Sequence, residues 1–118
     1  MTINILGTEY AVVKKTYDAE PYFKDQSVDG YCDSLEKEIV YCDMTTYPGW
    51  EKEPKERALI CEKETIRHEI VHAFFNESGL QESTFRVECA WAKNEEMVDW
   101  FALQGPKIYV AWQAADAL

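Results

Sequence analysis

The sequence predicts an α+β domain: a small antiparallel β-sheet of two hairpins, packed against two helices. Apolar and polar residues alternate through the first third of the chain, then apolar residues recur at three- and four-residue steps from about Lys55 onward. Pro48, Gly49 and Pro54 lie between the two regimes and interrupt any regular period. A length of 118 residues, 47% of them apolar and 14% aromatic, supports one modest core and not two, so residues 1–118 read as a single domain.

Taken in order, Ile3 and Ile5, then Gly7 and Thr8, then Tyr10, Val12 and Lys14 describe strand, turn and strand. Residues 18–29 contain Pro21 and several acids and read as a loop or one short helical turn. Tyr31–Asp33 and Glu38–Asp43 are two further extended runs, with Ser34–Lys37 as the turn between them. Tyr47–Pro54 is a connector. From about Lys55 to Asn76, Leu59, Ile66, Ile70, Ala73 and Phe74 form an apolar stripe suited to packing on the sheet, and Gly79 is placed to end the helix in a left-handed cap. A second helix is expected from about Phe85 to Leu103, with Val87, Trp91, Val98 and Phe101 on one face. Gly105 and Pro106 are expected to break it before a short last helix, Lys107–Ala115. In that final segment Ile108, Val110 and Trp112 read as core packing or an interaction face, with core favoured.

Charge narrows the function classes. Asp and Glu number 22 against 12 Lys and Arg, a net charge of −10, which is the wrong sign for tracking phosphates and argues against nucleic acid as a partner. The opening MTINILGTEY has neither a basic start nor an apolar stretch of signal-sequence length, and no segment reaches membrane-spanning length, so a cytoplasmic protein without membrane contact is expected. Cys32, Cys42, Cys61 and Cys89 are widely spaced with no Cys-x-x-Cys pair, which suits reduced, buried thiols.

The chemistry concentrates in His68, Glu69, Ile70, Val71 and His72, a His-Glu-x-x-His run inside the first long helix. Residues four apart sit one turn apart on one face, so both imidazoles can reach one metal ion, while Glu69 projects from an adjacent side and can address the water that a metal activates. These are the only two histidines in the chain. Zinc requires at least one more protein ligand. Glu95 and Asp99, four apart in the second helix, can divide two tasks: one carboxylate on the metal, the other on the far nitrogen of a ligand histidine. Glu96 competes with Glu95, because one residue is about 100° around a helix; the pairing with Asp99 favours Glu95. A closed structural zinc site of Cys61, Cys89, His68 and His72 is an alternative that leaves Glu69 without a purpose.

These residues resemble the gluzincin branch of zinc metallopeptidases, in which the helical His-Glu-x-x-His is followed by a helix bearing Glu-x-x-x-Asp. Asn94-Glu95 and the continuation Asp99-Trp100-Phe101-Ala102 also look like the short phage and bacterial proteins related to the ImmA/IrrE group. The resemblance covers residues 65–103. It implies a minimal zincin-like fold, Zn²⁺ as cofactor, Glu95 as third ligand, Asp99 as the partner of a ligand histidine, and hydrolysis of a peptide bond in a specific protein partner. No helix-turn-helix module is evident, which separates the chain from many ImmA/IrrE proteins.

By zinc-hydrolase logic, Glu69 takes a proton from the attacking water and passes it to the leaving amine. A developing oxyanion needs a further donor, for which Tyr31, Tyr109 and Arg67 are candidates. Two other readings stand beside the peptidase: a catalytically inactive zinc-binding regulatory or interaction protein, and a structural zinc protein.

Overall fold

The computed structural model describes residues 1–81, 94–114 and 116. Strand β1 (Thr2–Ile5) turns through Leu6 and Gly7 into β2 (Thr8–Lys15). Both turn residues have positive φ, 50° and 94°, the backbone of a two-residue turn whose twist matches its flanking strands. A 3₁₀ turn at Tyr17–Ala19 and a short helix α1 (Pro21–Gln26) occupy the stretch expected to be loop or helical turn. Strands β3 (Gly30–Asp33) and β4 (Glu38–Cys42) form the second hairpin. In its turn the Asp33 carboxylate accepts from the backbone N–H groups of Leu35 and Glu36.

The chain is α+β, as predicted, but its sheet is mixed and not purely antiparallel. The strand order is β1-β2-β4-β3, and β4 runs parallel to β2 with Val12 opposite Ile39 and Val13 opposite Val40. Burial explains the order. Ile39, Val40 and Cys42 of β4 are at most 1% exposed, so β4 takes an inner position and leaves the shorter β3 at the edge. Residues 16–37 supply the long crossover that a parallel pair requires. Alternation along β4 then divides the core. Ile39 joins Ile5, Tyr10, Val12 and Ala73 in one cluster, while Val40 and Cys42 join Phe23, Met44 and Ala58 in another.

Helix α2 (Lys55–Glu77) packs across β1, β3 and β4. Gly79 follows it with φ 79°, its N–H bonded to the Asn76 carbonyl at 3.1 Å. The buried stripe differs from the expected one. Ala73 is fully buried and Ile70 packs on the core, but Leu59 and Phe74 are 51% and 41% exposed. The face turned inward is Ala58, Glu62, Thr65, Glu69 and Ala73. Glu62 and Thr65 are tolerated there because they are bonded: Glu62 accepts from Lys14 Nζ at 2.9 Å and from the Met44 N–H at 3.0 Å, and Thr65 Oγ1 donates to Asp29 at 3.0 Å. Small and short side chains on this face also bring the helix close to the sheet. A Cβ on Gly30 would lie 2.4 Å from Thr65 Cγ2 and 3.1 Å from the Val40 carbonyl oxygen, so only glycine fits where β3 meets α2.

Helix α3 (Glu95–Ala114) starts at Glu95, with Asn94 as its N-cap: the Asn94 side chain accepts from the Met97 N–H at 3.0 Å. Phe85, Val87, Cys89 and Trp91 lie outside the described residues. Val98 and Ala102, one turn apart, are buried, whereas Phe101 is exposed and does not share their face. The expected break at Gly105-Pro106 does not occur, and the helix runs through Pro106. Proline has no N–H for the Ala102 carbonyl four residues back, and Arg67 Nε of α2 donates to that carbonyl at 3.1 Å. The defect in one helix thereby becomes a tie to the other. Val110 is exposed and Ile108 half-buried, so neither supplies the core expected of it; the Trp112 side chain lies outside those described. Among the described residues no helix is long and apolar enough to cross a membrane.

Candidate metal centre

His68 and His72 stand one turn apart on α2, partly buried, with their Nε2 atoms 3.0 Å apart. Their register is fixed from below: Thr65 and Glu69 face the sheet on the same helix, so the histidines are turned toward α3. There the Glu95 carboxylate meets both rings, Oε2 at 3.1 Å from His68 Nε2 and Oε1 at 3.3 Å from His72 Nε2. The Asn94 cap positions Glu95 as the first residue of α3, where the amino-terminal end of the helix favours a carboxylate. One turn on, Asp99 Oδ1 lies 2.5 Å from His68 Nδ1. A carboxylate there accepts from Nδ1–H, which selects the tautomer whose Nε2 carries the lone pair. Glu96 is exposed, and the ion pairs to the Nε2 atoms of the two histidines come from Glu95.

These atoms suit zinc. A four-coordinate Zn²⁺ with bonds of about 2.0–2.1 Å holds neighbouring ligand atoms roughly 3.3 Å apart. The observed separations of 3.0, 3.1 and 3.3 Å match that spacing. Two imidazole nitrogens and a carboxylate are also the donor set zinc accepts, and Asp99 satisfies the outer nitrogen of one ring. Burial keeps the His72 pKa below the ordinary imidazole value, which favours the neutral ring that a metal needs.

Glu69 is different in kind from Glu95. Only 7% exposed, it has ligand-capable oxygen within 4.8 Å of the histidine nitrogens, yet it forms no ion pair with them, whereas Glu95 lies directly against both. Burial pushes the Glu69 carboxyl up to about 7; His68 opposes the shift, and the negative charges of Glu95, Asp29 and Asp99 add to it. No buried side-chain oxygen among the described residues lacks a hydrogen-bond partner, so the carboxylate tip, which has none, opens into the neighbouring clefts. A carboxyl poised near neutral pH and open to a cleft is suited to accepting and returning a proton.

Two clefts meet at this point. One, of about 660 Å³, extends from His68, Glu69 and Glu95 past Asp29 and Cys61 to Tyr47 and Trp50. The other, of about 350 Å³, extends from the same three residues and His72 past Tyr31 and Cys32 of edge strand β3. Of the oxyanion candidates, Tyr31 lines the second cleft, and its hydroxyl donates to Glu20 at 3.3 Å. Arg67 is committed to the Ala102 carbonyl, and Tyr109 sits 14 residues along α3 from Glu95, about 21 Å of helix. Cys61 turns toward Asp29, its thiol 3.7 Å from Oδ2 and pushed up to about 11 by burial, so it does not face the histidines as a ligand; Cys89 lies outside the described residues.

Sequence reading left Asp29, Gly30 and Thr65 without a role, and all three border the site. The only signal was the four-residue step from Thr65 to Glu69, which an apolar-stripe search passes over. The chain matches no protein-family model, and comparison with curated proteins and with solved structures yields no match.

Proposed function

We propose that the chain is a zinc-dependent peptidase of gluzincin type, akin to the small ImmA/IrrE-like proteins of phages and bacteria, that cleaves a peptide bond in a protein partner in the cytoplasm. The observation that carries this reading is the convergence of His68 Nε2, His72 Nε2 and the Glu95 carboxylate within 3.0–3.3 Å, with buried Glu69 alongside. His68, His72 and Glu95 would hold a zinc ion, with Asp99 fixing the His68 ring, and an ion held there would supply Lewis acidity toward a carbonyl and lower the pKa of water toward neutrality. Glu69 accepts the proton of the attacking water at its carboxylate and delivers it to the leaving amine. Tyr31 lines the second cleft with a hydroxyl kept protonated by burial, and by turning that hydroxyl from Glu20 it would donate to the developing oxyanion.

The clefts support a peptide substrate, since chain on either side of a scissile bond can lie in each while the bond sits over Glu69. Cys61 facing Asp29 weighs against a closed structural zinc site. The test is cleavage of a denatured-protein digest by the zinc-loaded chain, followed by mass spectrometry. Wild type generates new peptide termini, and Glu69→Gln retains zinc but loses at least about 100-fold in rate. Equal cleavage by both proteins would refute the assigned role of Glu69; no cleavage by zinc-loaded wild type would favour a binding protein with an inactive site.

A further inference from the structure

The larger cleft has a wall that the proton chemistry does not use. Beyond Glu69 its lining includes two carboxylates, Asp29 and Glu64, and the apolar surfaces of Met44, Tyr47 and Trp50. Among the described residues no Lys or Arg lines it. Asp29 Oδ2 accepts from Thr65 Oγ1 at 3.0 Å and faces the Cys61 thiol at 3.7 Å, which fixes the carboxylate and leaves Oδ1 for another donor. Glu64, on the exposed side of α2, brings a second carboxylate to the rim. Glu69, 7% exposed and without a hydrogen-bond partner among the described residues, points into the same space.

A lining that combines aromatic and thioether surface with one fixed and one exposed carboxylate selects a particular side chain. Long alkyl stems pack on aromatic and thioether surface, while a cationic head forms charge-assisted hydrogen bonds with carboxylates. An acidic side chain is repelled from the same place, and a purely apolar one leaves the Asp29 carboxylate desolvated without compensation.

We propose that this cleft is the specificity subsite of the peptidase, taking an Arg or Lys side chain next to the scissile bond, with Asp29 and Glu64 receiving its charge and Met44, Tyr47 and Trp50 its stem. The proposal rests on the peptidase reading for its biological meaning, but binding at the subsite needs neither zinc nor turnover. Asp29 and Glu64 are specificity residues and have no part in the proton transfer.

The test titrates end-capped tripeptides with central Arg, norleucine or Glu onto the full-length chain, with and without Zn²⁺, and reads the methyl NMR signals of Met44 and Thr65. The Arg peptide is expected to bind about tenfold tighter than the norleucine peptide, and the Glu peptide more weakly than either. Asp29→Asn, which keeps an acceptor for Thr65, and Glu64→Gln, at an exposed position, each reduce the preference, and the pair abolishes it. Should Asp29→Asn fail to fold, Glu64→Gln alone still decides. N-propylguanidine, with the same stem and head but no peptide backbone, is expected to bind more weakly than the Arg peptide. A norleucine peptide that binds as well as Arg, a preference untouched by Glu64→Gln, or N-propylguanidine binding as tightly as the peptide would each overturn the proposal. Arg preference in a chain that binds no zinc would refute the peptidase reading and leave the cation subsite standing; cleavage without Arg preference would do the reverse.

Discussion

At Glu69 two demands conflict: the proposed catalysis requires a carboxylate beside the histidines, and folding disfavours burying one. The folded pKa of about 7 lies above the ordinary 4.5 because burial penalises the charged form. The folded state therefore holds this proton more tightly than the unfolded chain, and stability falls as pH rises from about 4.5 to 7. The penalty is full above pH 7 and absent below about 4.5. Glu69→Gln removes the charge, so the metal-free variant is expected to be more stable than wild type at pH 8, by on the order of 1–3 kcal/mol, and no more stable at pH 4.5. Denaturant unfolding at the two pH values measures this, and an equal difference at both would contradict the burial argument. His68, Glu69 and His72 were legible in the sequence because helical geometry turns a four-residue spacing into a shared face. Asp29 was not, because its place in the cleft depends on β3 meeting α2 through Gly30, a contact between segments some 35 residues apart with no local pattern.

At the scale of elements, the hairpin turns, β3, β4 and the ends of α2 follow from alternation, turn residues and the Gly79 cap. Two expectations failed for tertiary reasons. The buried face of α2 is set by where Lys14, Met44 and Asp29 offer partners, so hydrogen bonding outranks hydropathy along that stripe. Pro106 does not end α3, because the carbonyl it leaves without a helical donor is taken by Arg67. Removing that donor by Arg67→Ala is expected to cost about 1–2 kcal/mol in wild type, and much less, under about 0.5 kcal/mol, in a Pro106→Ala background, where the helix supplies its own N–H to Ala102. A double-mutant cycle by urea unfolding measures the coupling. Equal costs in both backgrounds would show that Arg67 does not compensate for the proline.

Across the whole molecule, α+β architecture was readable from the switch in period, but the mixed sheet was not. Two hairpins can join through any pair of edges, and only the near-complete burial of β4 decides which. One residue spans the resulting assembly. Glu77, at the end of α2, accepts from Lys37 Nζ in the β3–β4 turn and from the hydroxyls of Thr8 and Tyr10 on β2. The Lys37 hydrogen bond, then that of Tyr10, holds its carboxyl down at about 2. A lowered pKa contributes stability that is present above about pH 4.5 and lost as pH falls toward 2. Glu77→Gln is expected to lower the melting temperature at pH 7 and to flatten the acid limb between pH 4.5 and 2; an acid limb identical to wild type would exclude this role. The same packing brings α2 and α3 together at the histidines, so the proposed metal centre depends on both helices being in place. Zinc content of protein purified without added metal, measured by elemental analysis, tests the proposed centre most directly. One zinc per chain is expected in wild type and in Glu69→Gln, and none in His72→Ala or Glu95→Ala. Wild type without zinc, or zinc kept by both His72→Ala and Glu95→Ala, would contradict the shared site of His68, His72 and Glu95.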